Sequence, residues 1–210
     1  MVVAARRRGR PPDPTVRRRI LSAALDLFAE RGYDATSVSE VVVRAGVTKG
    51  ALYHYFGAKE DLLYEIYRGL LDQQLSDLDR ILGARGDPAA ALHAVVESLV
   101  TTTVEHIREV SVFHRETARL SADRWRALQA DWRRYLDSVR VLIRDAQRAG
   151  TLDATASPEV VSWIIFGFTR SLPSWYRPDG PKSPAEIATE TSTFVLAALR
   201  PNSTEGTVTP

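Results

Sequence analysis

Lys49, Gly50, Ala51, Tyr53 and His54 crowd into one short stretch, with Thr36 and Thr48 ahead of it and Lys59 just behind. Their spacing matches no nucleophile–base pair and no metal-ligand set. Together they are the groups that grip a polyanion and read flat polar edges. A lysine can donate to guanine acceptors or to phosphate, a glycine admits close backbone approach, and an alanine methyl can touch a thymine methyl. Threonines at helix N-termini, where backbone N–H groups lack partners, suit phosphate oxygens, and Tyr53, His54 and Lys59 can flank them with further donors. The chemistry on offer is recognition of duplex DNA. Lys49, Gly50 and Ala51 are the candidate base readers, and Thr36, Thr48, Tyr53, His54 and Lys59 are candidates for fixing register.

Such side chains work only if a fold lifts them clear of the body. Ser37 and Glu40 have the spacing of a capping box, and Val41, Val42 and Ala45 follow before Gly46, which reads as a short helix. Thr48 caps another short helix that ends near Phe56-Gly57. Between them Gly46 can take positive φ, so the two helices cross steeply and the second stands out as a ridge of the size a major groove admits. Leu52, Tyr55 and Phe56, at i, i+3 and i+4, face inward and leave Lys49, Gly50, Tyr53 and His54 outside.

Upstream, Thr15 is the expected N-cap of a helix carrying Ile20, Leu21, Ala24, Leu25, Leu27 and Phe28 and closed by Gly32. Downstream, a long helix from Ala58 to about Leu82 holds a stripe of Leu62, Leu63, Ile66, Leu70, Leu71, Leu75 and Leu78, with Gly83 and Gly86 as its breakers. Further helical periodicities cover 88–106, 109–119, 122–149, 158–174 and 184–199. No segment sustains a strand period, so the expected fold is all-α with about nine helices. The domains read as a disordered basic arm at 1–14, a helix-turn-helix domain at 15–60, a ligand-binding and dimerisation domain at 61–200 and a disordered tail at 201–210.

Of the 210 residues, 44% are hydrophobic, enough for a real core. The absence of cysteine excludes disulfides, thiolate metal sites and thiol nucleophiles. Residues 1–60 hold 11 Lys/Arg against 6 Asp/Glu, whereas 61–210 hold 17 against 20, so a basic end adjoins a faintly acidic body. With no apolar run long enough for a membrane helix and no signal-peptide stretch, the expected location is the cytoplasm, without membrane association. At the N-terminus Arg8-Gly9-Arg10-Pro11 resembles an AT-hook core. Arg8 and Arg10 either lie along a narrow A·T minor groove or merely add phosphate attraction.

The run Val47-Thr48-Lys49-Gly50-Ala51-Leu52-Tyr53-His54-Tyr55-Phe56, followed by Lys59-Glu60-Asp61-Leu62, closely resembles the DNA-binding signature of the TetR family of transcriptional regulators. Ala24, Phe28, Gly32 and Tyr33 extend the likeness over about residues 15 to 65. The resemblance implies a three-helix DNA-binding domain, a ligand-binding domain of about six helices and a homodimer on a palindromic operator. It also implies a regulator, commonly a repressor released by a small hydrophobic effector, that uses no cofactor. The loop from Trp175 to Pro184 is similar to one in a subgroup that senses acyl-CoA thioesters. The sequence departs from that subgroup at Ser171, Leu172, Pro173 and Ser174, leaving Arg170 as the nearest cation.

In the body, Tyr67, Phe113, Trp132, Phe166 and Trp175 are candidates to line a ligand cavity, with Thr103, His106 and Arg170 to orient what enters it. Core packing is the competing account of each aromatic residue. His106 and His114 lack a third ligand nearby, so no metal site is expected. Val160, Val161, Ile164, Ile165 and Phe168, together with Ile187, Phe194, Val195, Leu196 and Leu199, are candidates for a four-helix dimer interface. Pro173 is expected to end or kink its helix. A helical adaptor protein is the alternative reading. A helical enzyme is remoter, because there is no Gly-x-Ser-x-Gly elbow, His-Glu-x-x-His pair, phosphate-cradling loop or dinucleotide fingerprint.

Overall fold

Asp13, not Thr15, starts the first helix. In the computed structural model, which describes residues 13–84 and 86–201, the Asp13 side chain accepts the Thr15 N–H and Pro14 takes the first helical position. Proline suits that place because its missing N–H would have had no partner there. The expected arm residues Arg8 and Arg10 and the tail beyond Pro201 lie outside the described residues.

Nine α-helices and no strand occur among the described residues: α1 (Pro14–Arg31), α2 (Val38–Ala45), α3 (Lys49–Tyr55), α4 (Lys59–Gly83), α5 (Pro88–Glu105), α6 (Ile107–Glu116), α7 (Ala122–Arg148), α8 (Pro158–Trp175) and α9 (Pro184–Ala198), with a 3-10 turn at Thr117–Arg119. The chain divides into two compact units, one up to Ile66 and one from Tyr67 on, so α4 contributes to both.

In the first unit, Ile20, Ala24, Leu27 and Phe28 of α1 are buried with Val41, Ala45, Leu52, Phe56, Leu62 and Leu63. The Ser37–Glu40 capping box is formed in both directions, which sets the start of α2. Arg17 ties α1 to Glu65 of α4 and lies against the Phe56 ring. In the second unit, α5 is central and packs along α9 and against α7 and α8, burying Leu92, Val95, Val96 and Leu99. Arg68 of α4 pairs with Asp72 and with Asp131 of α7, and Arg134 reaches Asp79 at 2.6 Å, so two ion-pair contacts link α4 to α7.

Helix α4 ends at Gly83, the first of its two expected breakers. Helix α8 runs through Pro173 to Trp175. Only two residues follow Pro173 before the helix stops, and the Tyr176 N–H closes its end on Leu172 O at 2.8 Å.

Candidate functional site

Gly46 closes α2 in the left-handed region, with φ 61° and ψ 42°. That turn is clamped from α1, where Arg19 donates to the carbonyls of Ala45 at 2.6 Å and Gly46 at 2.9 Å. Thr48 then caps α3 by accepting the Ala51 N–H at 3.1 Å. Leu52 and Phe56 are buried, and the Tyr55 hydroxyl bonds the Asp13 backbone, accepting from its N–H and donating to its carbonyl. The inner face of α3 is thereby fastened at three points. Its outer face presents Lys49, Gly50, Tyr53 and His54 to solvent, with Ala51 half-buried beside them. The Lys49 ammonium stands 6.0 Å from the centroid of the Tyr53 ring, so cation and ring share one patch. A Cβ built on Gly50 would meet nothing nearer than Thr48 Oγ1 at 4.0 Å. The fold itself therefore does not require glycine there, although glycine disfavours the helix.

Two expected contacts fall elsewhere. Thr36 is 1% exposed and its hydroxyl donates to Gly32 O at 2.9 Å, so it cannot offer that group to a phosphate. Lys59 donates to the carbonyls of Tyr33 at 2.8 Å and Thr36 at 2.9 Å, with its ammonium 4.1 Å from the Tyr33 ring centroid. Both residues are ties that hold the loop between α1 and α2.

The second unit holds a solvent-open cavity of about 760 Å³ walled by α4, α5, α6, α7 and α8, within the size range of small-molecule sites. Tyr67 and Phe113 stack 8° from parallel, and Trp132 Nε1 donates to the Tyr67 hydroxyl at 2.8 Å. Trp132 and Tyr135 each meet Phe166 edge to face. Burial pushes the Tyr67 hydroxyl well above its ordinary range, so it stays protonated. Polarity is uneven around the wall. Gln74, Thr103 and Thr169 are buried, whereas Arg133, Arg170 and His114 are exposed at the rim. Among the described residues neither Arg133 nor Arg170 is engaged by a carboxylate, unlike their neighbours Arg134 and Arg140. Although the residue as a whole is exposed, partial burial of its ring, and then Arg170, hold His114 below its ordinary value, so it is neutral near pH 7.

Residues 20–66 match the family of bacterial regulatory proteins, tetR family, and residues 85–199 match the tetracyclin repressor-like C-terminal domain. The HTH-type transcriptional repressor KstR2 of Rhodococcus jostii is 32% identical over 195 residues, covering 87% of this chain and 90% of the relative. The chain belongs to the TetR family. A solved structure of the ketosteroid transcriptional regulator KstR2 of Mycobacterium tuberculosis superposes with a TM-score of 0.78 at 26% identity, covering 87% of this chain and 95% of that one. AibR, solved in complex with isovaleryl coenzyme A and operator DNA, has a TM-score of 0.73 at 25% identity, covering 86% and 97%.

Within this TetR-family chain, the cavity brings together Tyr67, Thr103, Phe113, Trp132, Phe166 and Arg170. His106 and Trp175 are not among its walls. His106 sits where α5 meets α6, bonded to Glu109 at 3.3 Å, and Trp175 is 47% exposed with Nε1 on Ser171 Oγ. Gln74 is a wall residue that aromatic density did not reveal. Its signal is a polar residue on the apolar stripe of α4, one turn from Leu70 and Leu71. The described residues also bring His93 Nε2 to 3.1 Å from Ser192 Oγ, with Glu97 3.9 Å from the other ring nitrogen. Ser192 is fully buried and donates to Thr189 O, so no substrate can meet it and the trio serves to pack α5 on α9. No described helix is long and apolar enough to cross a membrane.

Proposed function

We propose that this TetR-family regulator is a homodimeric repressor that holds a palindromic operator through α3 and lets go when an amphipathic effector fills the cavity. One observation carries the DNA half of the reading. The residues of α3 that could bond a duplex are exposed together, while the residues between them are anchored inside. Lys49, Gly50 and Ala51 read bases, and Thr48, Tyr53 and His54 fix register on the phosphates. Residues 15–60 then form the reading head and 61–200 the sensing and pairing body. A regulator of this kind acts in the cytoplasm and has no catalytic step.

The cavity supports an effector with an apolar body and an anionic head. Stacked aromatic rings receive the body, and the unengaged guanidinium groups of Arg133 and Arg170 receive the head. An acyl-CoA thioester has that shape, and AibR was solved with one. Helix α4 contributes to both units, so a ligand that moves α4 at Tyr67 also biases the turns of that helix that begin at Lys59. Exposed Val160, Trp163 and Ile164 on α8 and Phe194 on α9 support pairing through those helices.

A mobility-shift titration over salt tests the reading. Operator affinity should fall steeply with salt, and Lys49→Ala combined with Tyr53→Ala should weaken specific binding at least tenfold, on the order of the energy of one base contact. Undiminished operator affinity in that double variant refutes the assignment of α3. Isovaleryl-CoA should release the operator where free coenzyme A does not, and Arg170→Ala should blunt that release.

A further inference from the structure

We infer that the buried end of the effector carries a hydrogen-bond donor, a hydroxyl or an N–H, and that Gln74 Oε1 receives it. The inference rests on the reading of the cavity as the effector site. Gln74 is 4% exposed and forms part of the cavity wall. Its Nε2 lies 3.4 Å from Thr103 Oγ1, and the Thr103 hydroxyl donates to Leu99 O at 2.7 Å. A hydroxyl has one proton, and a backbone carbonyl can only accept. Thr103 therefore meets Gln74 as an acceptor, which obliges Gln74 to turn its NH₂ toward it. Rotating the amide by half a turn would set two acceptors against each other unless Thr103 gave up its 2.7 Å bond to Leu99 O for one of 3.4 Å.

That chain of bonds leaves Oε1 buried with no hydrogen-bond partner among the described residues. Buried acceptors are nearly always satisfied, and an unsatisfied one marks a place where something is missing. The other buried hydroxyls on this wall do not serve it: Thr169 is bonded to the carbonyls of Ile165 and Phe166, and Tyr67, which accepts from Trp132, makes no bond to Gln74. The position of Gln74 says which end of the ligand is involved. Arg170 is exposed on the same cavity wall and so marks the solvent-facing, cationic end, whereas Gln74 is buried. Gln74 follows Tyr67 by seven residues on the same face of α4, roughly 10 Å along the axis. The effector thus has its anionic head and its donor at opposite ends of an apolar body.

An apolar pocket that lacked this acceptor would disfavour a terminal hydroxyl, because burying one unpaired is costly. Matched acids therefore make a sharp test: octanoate, decanoate and dodecanoate against their ω-hydroxy forms, followed by quenching of tryptophan fluorescence, since Trp125, Trp132 and Trp163 all line the cavity. The parent protein should bind at least one ω-hydroxy acid about tenfold more tightly than its plain counterpart. Gln74→Leu should reverse that order and, without ligand, should melt no lower than the parent, because it removes an unpaired buried group. A lower melting temperature would mean that the Gln74–Thr103 bond is merely structural, and would overturn the proposal. Plain acids that bind at least as tightly as every ω-hydroxy form mean that water or nothing serves Oε1, which overturns the donor assignment and leaves the cavity reading standing. Binding of none of the six acids, with operator binding intact, counts against the cavity as the effector site and takes the inference with it.

Discussion

Gly46 and Gly50 flank the same turn and should respond to alanine in opposite ways. At Gly46 the φ of 61° is left-handed, which costs an L-residue roughly 1–2 kcal/mol. A Cβ there would also stand 2.8 Å from an Arg19 guanidinium nitrogen. Displacing that side chain weakens its bonds to the carbonyls of Ala45 and Gly46, for about 1 kcal/mol more at this exposed position. Gly46→Ala should thus lose about 2–3 kcal/mol and lower Tm by roughly 4–12 °C in a chain of this size. In an Arg19→Ala background the steric part disappears, and only the backbone strain should remain. Gly50 has helical φ and open space around its missing Cβ. Gly50→Ala should leave Tm unchanged or raise it by roughly 2–4 °C, while a methyl forced into a close-packed DNA contact should cost roughly 1–3 kcal/mol of binding. Far-UV circular dichroism melts and fluorescence anisotropy on a duplex selected by the parent protein measure the two effects. A Gly46→Ala protein that melts with the parent, or a Gly50→Ala protein that binds the duplex as tightly, would refute the reasoning at that glycine.

Lys59→Met should cost about 1–3 kcal/mol of stability by freeing the carbonyls of Tyr33 and Thr36. It should leave operator binding and its salt slope unchanged, whereas Lys49→Met should cost about 1–3 kcal/mol of specific binding and relax the choice of base at the position it reads. His114 of the cavity wall and His106 outside it should give opposite pH slopes in melts. His114 is held below its ordinary 6.5 by burial and by Arg170, so its contribution is whole above that value and lost as pH falls through the depressed folded value; His114→Gln should remove this acid-side loss. His106 is raised by its bond to Glu109, so its contribution is whole below 6.5 and lost as pH rises through the raised folded value; His106→Gln should remove that alkaline-side loss. Ile164→Asp with Phe194→Asp, at positions 61% and 74% exposed, should shift the sedimenting species from dimer to monomer without lowering Tm in dilute solution. A persistent dimer would move the interface off α8 and α9.

The parts of this molecule that are legible in its sequence are those whose energetics are local. Ser37 with Glu40, Thr48 before α3, and the left-handed Gly46 each depend on neighbours within a few positions, and all take the geometry that their types demand. The inward register of Leu52 and Phe56 follows from helical period alone. The dimer candidates divide by the same logic. Val161, Ile165, Ile187, Val195 and Leu199 are buried within the chain, and Val160, Ile164 and Phe194 remain outside, a split that depends on which face each neighbouring helix covers. Thr36 and Lys59 show why residue type is not enough. A hydroxyl and an ammonium that suit phosphate oxygens suit carbonyl oxygens equally well, and the carbonyls that Lys59 meets lie 26 and 23 positions away in the chain. What separates a reader from a tie is whether the fold has already used the group's bonding capacity. Lys49, Tyr53 and His54 make no hydrogen bond or ion pair among the described residues, so theirs is available to a duplex. Thr36 and Lys59 have spent theirs inside the first unit. The same test passes over Thr103 and Thr169 in the cavity, whose protons are committed, and selects the free oxygen of Gln74. Unspent capacity held in a fixed orientation is therefore the common property of both sites, and it emerges only once every donor has been followed to its acceptor.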